Sequence, residues 1–174
     1  GDVTKLCPSG GTYRYNPENG IVSCNKHNAS SVDLVNRDPD KILSLPKVME
    51  FFFDAAGKRK PANRQLDSTG PNFGPETRLQ IQSALGLPDD KFDFRVYWPP
   101  TDAEPKIYVF DKITLENKDE KRPVTGYLLH QNADGKWEIK KRVTGEGVVQ
   151  EAQVEDKNHV MVKYAQMKVE NIKW

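Results

Sequence analysis

The side chains best equipped for covalent or metal chemistry are Cys7 and Cys24, with His27 three residues beyond the second. Cys24 and His27 stand at Cys-x2-His spacing, which is half of a closed zinc site, and the remaining ligands such a site needs are absent from the sequence around them. A disulfide is the second use of the pair. It would close a loop of 18 residues and, in the chain-entropy picture, constrain the unfolded chain by about 3 kcal/mol. Two unpaired thiols are the third.

Elsewhere the chemistry thins out. His130 and His159 stand in no recognisable motif. There is no Gly-x-Ser-x-Gly elbow, no His-Glu-x-x-His, and no cysteine with a reason for a depressed pKa. Carboxylates are plentiful, but each nearby pair reads equally well as a surface pair. Asp67-Ser68-Thr69-Gly70-Pro71-Asn72-Phe73-Gly74 offers several oxygens without the EF-hand spacing. The expectation is a protein that is not an enzyme and holds no metal and no cofactor. Tyr97 and Trp98, beside Pro99-Pro100, are the exposed aromatic pair a contact surface would use, because Trp98 breaks the alternation of its strand.

The elements that must carry these residues follow from periodicity. Leu45, Val48, Met49, Phe52 and Phe53 fall at i, i+3, i+4, i+7 and i+8, a helical stripe, with Ser44 as cap, Pro46 in the first turn and Gly57 as stop. Residues 60–74, with Pro61, Gly70, Pro71 and Gly74, read as an irregular loop. Pro75 to Leu85 reads as a second helix, with Ile81, Ala84 and Leu85 on one side. The period then changes to two. Phe92, Phe94 and Val96 share one face of a strand, and Ile107 to Phe110 is apolar on both faces, as in a central strand. Strands at 124–131 and 136–143 flank Asn132-Ala133-Asp134-Gly135, and a last hairpin, 147–156 with 159–164, turns at Asp156-Lys157-Asn158.

The cysteines belong to a hairpin of their own. Thr12, Tyr13 and Tyr15 suit one strand and Ile21 and Val22 its partner, around Pro17-Glu18-Asn19-Gly20. A four-residue loop puts Asn16 opposite Ile21 and Tyr13 opposite Cys24. Cys7 then lies beyond the strand, and Gly10-Gly11 must fold it back for a bridge to form.

The pattern Cys7-Pro8-x-Gly10-Gly11-Thr12-Tyr13, a turn, then Val22-x-Cys24-x-x-His27 resembles a segment from the globular part of prepilin-type proteins, the type IV pilins and the pseudopilins of type II secretion, especially those of Gram-positive and related bacteria. In many of those proteins the segment closes the chain, whereas here residues 29–174 follow. The resemblance implies an exported structural subunit of a pilus or pseudopilus, displayed at the cell surface or outside the cell for adhesion, motility or secretion. Its partners would be other pilin subunits, met through an N-terminal hydrophobic helix expected ahead of Gly1, and a host or other extracellular surface. A bridged Cys7–Cys24 pair suits such a location.

Charge excludes other classes. The 26 basic and 25 acidic side chains leave a net charge of +1 over 174 residues, so no overall field points to nucleic acid or an anionic membrane. No run approaches the ~20 apolar residues of a membrane span. The fold expected is α+β and pilin-like: two helices with an antiparallel, mostly meander sheet, preceded by a disulfide-clipped β-hairpin. Residues 1–30 would form the hairpin segment and 31–174 the globular domain. The competing reading is a secreted ligand- or carbohydrate-binding module, or an accessory domain of a hydrolase, with Tyr97 and Trp98 as its contact surface.

Overall fold

The computed structural model describes residues 37–85, 91–101 and 104–174, with backbone alone at 84–85, together with the backbone of three strands near the start. Those three are β1 (Asp2–Leu6), β2 (Thr12–Asn16) and β3 (Ile21–Cys24), an antiparallel sheet in the order β1-β2-β3. Asn16 pairs with Ile21 and Tyr13 with Cys24, the register that a four-residue loop at 17–20 dictates. Cys7 and His27 lie outside the described residues, and with them the question of a Cys7–Cys24 bridge.

The remainder is built around a second sheet of six antiparallel strands in sequence order: β4 (Gln65–Asp67), β5 (Phe92–Tyr97), β6 (Lys106–Asp111), β7 (Lys121–Gln131), β8 (Trp137–Glu155) and β9 (Met161–Glu170). Among the described residues three short α-helices accompany it: α1 (Asp40–Leu43), α2 (Pro46–Phe52) and α3 (Pro75–Leu85). This overturns the expected pilin-like α+β architecture. The protein is sheet-dominated, and its sheet curls until β9 comes back opposite β4, nearly closing a barrel.

Two local facts cause the difference. Gln65–Asp67, within the stretch the sequence assigns to a loop, pairs with Arg95–Tyr97 as an added first strand. And β8 does not break at Thr144-Gly145-Glu146-Gly147 but runs on for 19 residues, pairing with β7 through Val148 and with β9 from Glu146 onward. The glycines there serve close approach rather than a turn. A Cβ on Gly147 would sit 2.6 Å from Met167 Sδ, and one on Gly145 would sit 2.5 Å from Ile172. A Cβ at either site could not fit without β9 or the tail moving away.

The two faces of the sheet carry two cores. On one, Leu66, Phe92, Phe94, Val96, Ile107, Val109, Tyr127 and Leu129 pack with Ile42, Leu43, Val48 and Phe52 of the first two helices and with Phe73, Ile81 and Trp98. On the other, enclosed by the curl, are Tyr108, Phe110, Ile113, Val124, Val149, Ala165 and Met167. Alternation along β6 supplies both. Ile107 and Val109 point to the first core and Tyr108 and Phe110 to the second.

Helix α2 buries Val48 and Phe52 completely, the central residues of the predicted stripe. It stops at Phe52, one turn short of Gly57, because Phe53 is extended and forms a β-bridge with Arg59. The carbonyls this leaves open at the helix end are taken by the residues that follow. Lys60 Nζ donates to Glu50, Asn63 Nδ2 to Phe51, and Arg59 Nη1 to Phe52. Two members of the basic run, Arg59 and Lys60, therefore work at the C-terminal end of the helix.

Candidate functional site

Charged residues occupy the enclosed side of β5, where Asp93 and Arg95 alternate with Phe92, Phe94 and Val96. Both are nearly inaccessible to water, so each must be paired to remain charged there. Asp93 is held by structure. Its Oδ1 accepts from Ser68 Oγ and from Arg78 Nη2, and its Oδ2 accepts from Ile113 N. Ser68 Oγ in turn accepts from Phe94 N. This network ties β4, β5, α3 and the segment after β6 together.

Arg95 holds the seam between the first and last strands. Its Nε donates to Asp67 Oδ1 on β4 at 2.6 Å, and its Nη2 donates to the carbonyl of Met167 on β9 at 2.5 Å. Asp67 Oδ2 accepts from Gln65 Nε2 and from Gln166 Nε2, each at 3.0 Å, and stands 3.5 Å from the Tyr164 hydroxyl. Gln166 Oε1 accepts from Gln150 Nε2 at 2.8 Å. Among the described residues, each of these bonds across the seam has a side chain on at least one end. Partial burial, then the nearby Asp67 carboxylate, raise the pKa of Tyr164 above the ordinary tyrosine value.

Beside this bridge lies a cleft of about 430 Å³, lined by Gln65, Arg95, Tyr97, Tyr108, Gln150, residues 166–172 and Trp174. A second hollow of about 380 Å³ lies across Asp67 and Tyr164, toward Val154, Phe51 and residues 62–66 and 70–72. The first has an aromatic wall. The ring centres of Tyr97 and Tyr108 are 6.3 Å apart, and those of Tyr108 and Trp174 are 6.1 Å apart, both pairs tilted. Asn171 adopts φ +51° and turns the tail so that Trp174 lies against Gly126, where a Cβ would sit 2.7 Å from the indole. Lys106 Nζ stands 5.7 Å from the indole ring centre. The charged residues lining the cleft are Arg95, paired with Asp67 outside it, and Lys168 and Glu170, 3.8 Å apart.

The two residues singled out as a contact surface separate. Tyr97 lines the cleft, but Trp98 is 7% exposed and belongs to the helix-side core. Its ring meets Phe52, Phe53 and Trp137 at 5.2–5.4 Å, and the Arg59 guanidinium stacks 5.4 Å from its centre. Arg59 also donates to the Trp98 carbonyl, and burial lowers its pKa. Trp98 does not break the alternation: two residues beyond Val96, it continues the face of Phe92, Phe94 and Val96 and so enters the helix-side core. His130 stands 3.6 Å from Glu138 across the β7–β8 pair, and His159, at φ +60° in the last hairpin, lies 2.9 Å from Glu155. Both are exposed side chains beside a surface carboxylate.

Asp67, Arg95, Tyr108, Gln150, Gln166 and Trp174 are cleft residues that the sequence reading does not select. A signal existed for Arg95. A strand next to one that is apolar on both faces is covered on both faces, so its polar side is enclosed too. No described protein family matches this sequence, and neither the curated proteins nor the solved structures contain a match to it.

Proposed function

We propose that this chain is the outward-facing part of a structural subunit of a type IV pilus or of a type II secretion pseudopilus, and that residues 37–174 are its binding head. On this reading the chain is exported, is not an enzyme, and meets other subunits through a hydrophobic helix ahead of Gly1. The observation that carries it is the pairing of Tyr13 with Cys24 and of Asn16 with Ile21, in a sheet distinct from the six-stranded one. That pairing is the hairpin read from strand propensity and loop length within Cys7 to His27, the segment that resembles a prepilin-type one. The six-stranded unit is then an addition carried beyond that segment.

The buried charges of the head support a binding role over a catalytic one. Asp93, Arg78, Arg95 and Asp67 each use their hydrogen bonds to hold strands together. The cleft of Tyr97, Tyr108 and Trp174 favours ligand binding, and it would serve equally in a secreted binding module that builds no filament. Immunogold electron microscopy with antibodies to residues 37–174, on cells that express the gene and on filaments sheared from them, tests the proposal. Gold on filaments supports it. Protein confined to the cytosol, with both thiols reactive, would reject it.

A further inference from the structure

One carboxylate fixes the polarity of the cleft's hydrogen-bonding groups. Asp67 accepts and cannot donate, and its Oδ2 stands 3.0 Å from Gln65 Nε2 and 3.0 Å from Gln166 Nε2. Both amides therefore turn their NH2 groups toward it. Gln166 Oε1 is then left to accept, at 2.8 Å, from Gln150 Nε2. The run of donations ends in two carbonyl oxygens, Gln150 Oε1 and Gln65 Oε1, that have no donor among the described residues. Gln150 lines the cleft and not the second hollow, whereas Gln65 lines both. Arg95 supplies the opposite polarity. Its Nε and Nη2 are committed to Asp67 and Met167, and nothing among the described residues accepts from its Nη1. Arg95 is 7% exposed, yet Nη1 keeps some access to solvent, and its N–H groups open into the cleft that Arg95 lines.

We propose that the cleft binds a neutral oligosaccharide, with a pyranose ring against Tyr97 and Trp174 and its hydroxyls on Arg95, Gln150 and Gln65. A hydroxyl both donates and accepts, so neighbouring hydroxyls of one sugar satisfy the Arg95 N–H groups and the Gln150 oxygen together. A carboxylate, phosphate or sulfate would meet the Arg95 donors but would set its own lone pairs against the Gln150 oxygen. Lys168, the other cation of the lining, already has Glu170 3.8 Å away. An extended peptide finds no ladder here, because Ala165 and Met167 are buried and Arg95 occupies the Met167 carbonyl. The rings supply the rest of the site. Tyr97 is half-buried and Trp174 is 36% exposed, with the buried Tyr108 between them. An aromatic ring carries a negative face, and a pyranose offers that face its C–H groups. Trp174 thus takes the place beside Tyr97 that the sequence assigns to Trp98. The volume, about 430 Å³, lies at the small end of ligand sites and limits the bound part to a few sugar rings. This proposal rests on reading the six-stranded unit as a binding head. It does not depend on whether that head is mounted on a filament.

Saturation-transfer NMR on the purified 174-residue chain tests this with hexasaccharides of glucose, mannose, galactose and N-acetylglucosamine, and with heparin and hyaluronate oligosaccharides as acidic counterparts. The expected result is transfer to the ring C–H protons of at least one neutral hexasaccharide, which binds more tightly than either acidic oligosaccharide. Trp174→Ala and Gln150→Met should each weaken that binding at least tenfold. The second leaves the bonds of Asp67 to Arg95, Gln65 and Gln166 in place. Should a variant not fold, intermolecular NOE contacts between the sugar and the rings of Tyr97 and Trp174 in the unaltered chain decide. The proposal fails if no neutral hexasaccharide binds, or if an acidic oligosaccharide binds more tightly than all of them. It also fails if either folded variant keeps full affinity, or if the contacts fall on residues outside the cleft. Purified chain is used throughout, so a failure here is separate from a failure to find the protein on filaments.

Discussion

Replacing Asp93 by Asn removes one charge and almost no volume, which makes it a sensitive probe of the network joining β4, β5 and α3. The carboxylate is 1% exposed, and its partner Arg78 is 15% exposed. Asparagine keeps one acceptor for Ser68 Oγ and Arg78. Its amide nitrogen then faces the N–H of Ile113, which donates to Oδ2 at 3.0 Å. An orphaned buried donor costs about 1–3 kcal/mol. Removing one member of a buried ion pair costs about 3–5 kcal/mol. That figure applies only in part here, because Arg78 reaches solvent and still donates to the carbonyls of Phe92 and Ser68. The expected loss is about 3 kcal/mol, or ~12 °C in Tm at the ~4 °C per kcal/mol that suits a unit of this size. Urea unfolding followed by tryptophan fluorescence measures it, and a cycle with Arg78→Met should give a coupling of at least ~1 kcal/mol. A loss under ~1 kcal/mol with an unchanged denaturant slope would refute the view that this network holds the first strand to the sheet.

Three further substitutions probe the core, the curl and the seam. Trp98→Ala should destabilise by about 3–5 kcal/mol, since the indole fills the helix-side core and supports Arg59, and it should leave ligand affinity at the cleft unchanged in the fraction that remains folded; calorimetry beside a binding titration separates the two effects. Gly147→Ala places a methyl 2.6 Å from Met167 Sδ and 2.9 Å from the Lys168 carbonyl, and a cost of about 1–3 kcal/mol is expected, read from chemical denaturation. Tyr164 has a pKa raised by burial and by Asp67, so the folded state holds the phenolic proton more tightly than the unfolded chain does. Its contribution is complete below the unfolded value near 10 and is lost as pH rises through the higher folded value. Unfolding free energies between pH 8 and pH 11 should fall more steeply for the unaltered protein than for Tyr164→Phe, and parallel curves would contradict the seam geometry.

Much of the strand content was readable from alternation. Phe92, Phe94 and Val96 on one face of β5, the doubly apolar β6 and the Asp134-Gly135 turn all follow from side-chain period and turn chemistry, and so does the Tyr13–Cys24 register. The curl was not readable, because it depends on Gly145 and Gly147, which look like a break until the strand that needs their missing side chains is in place. Gln65–Asp67 was hidden for a related reason: three residues between prolines and glycines carry no period, and β5 recruits them. The cleft inherits both omissions. Asp67 and Arg95 lie 28 positions apart in sequence, and Gln166 and Trp174 reach them only once the sheet has turned back on itself. Trp98 shows the converse: it extends the period of Phe92, Phe94 and Val96 by one more step, and the same alternation that placed them in the core places it there too.

The central claim is that this chain is displayed on a filament with its six-stranded unit outward. Electron cryomicroscopy of filaments sheared from cells that express the gene, compared with filaments from cells lacking it, measures this most directly. The account predicts exterior density on the first sample that fits the curled six-stranded unit, connected to the filament through the β1–β3 segment, and none on the second. Identical filaments from both samples, with the protein recovered only from the filament-free fraction, would contradict it.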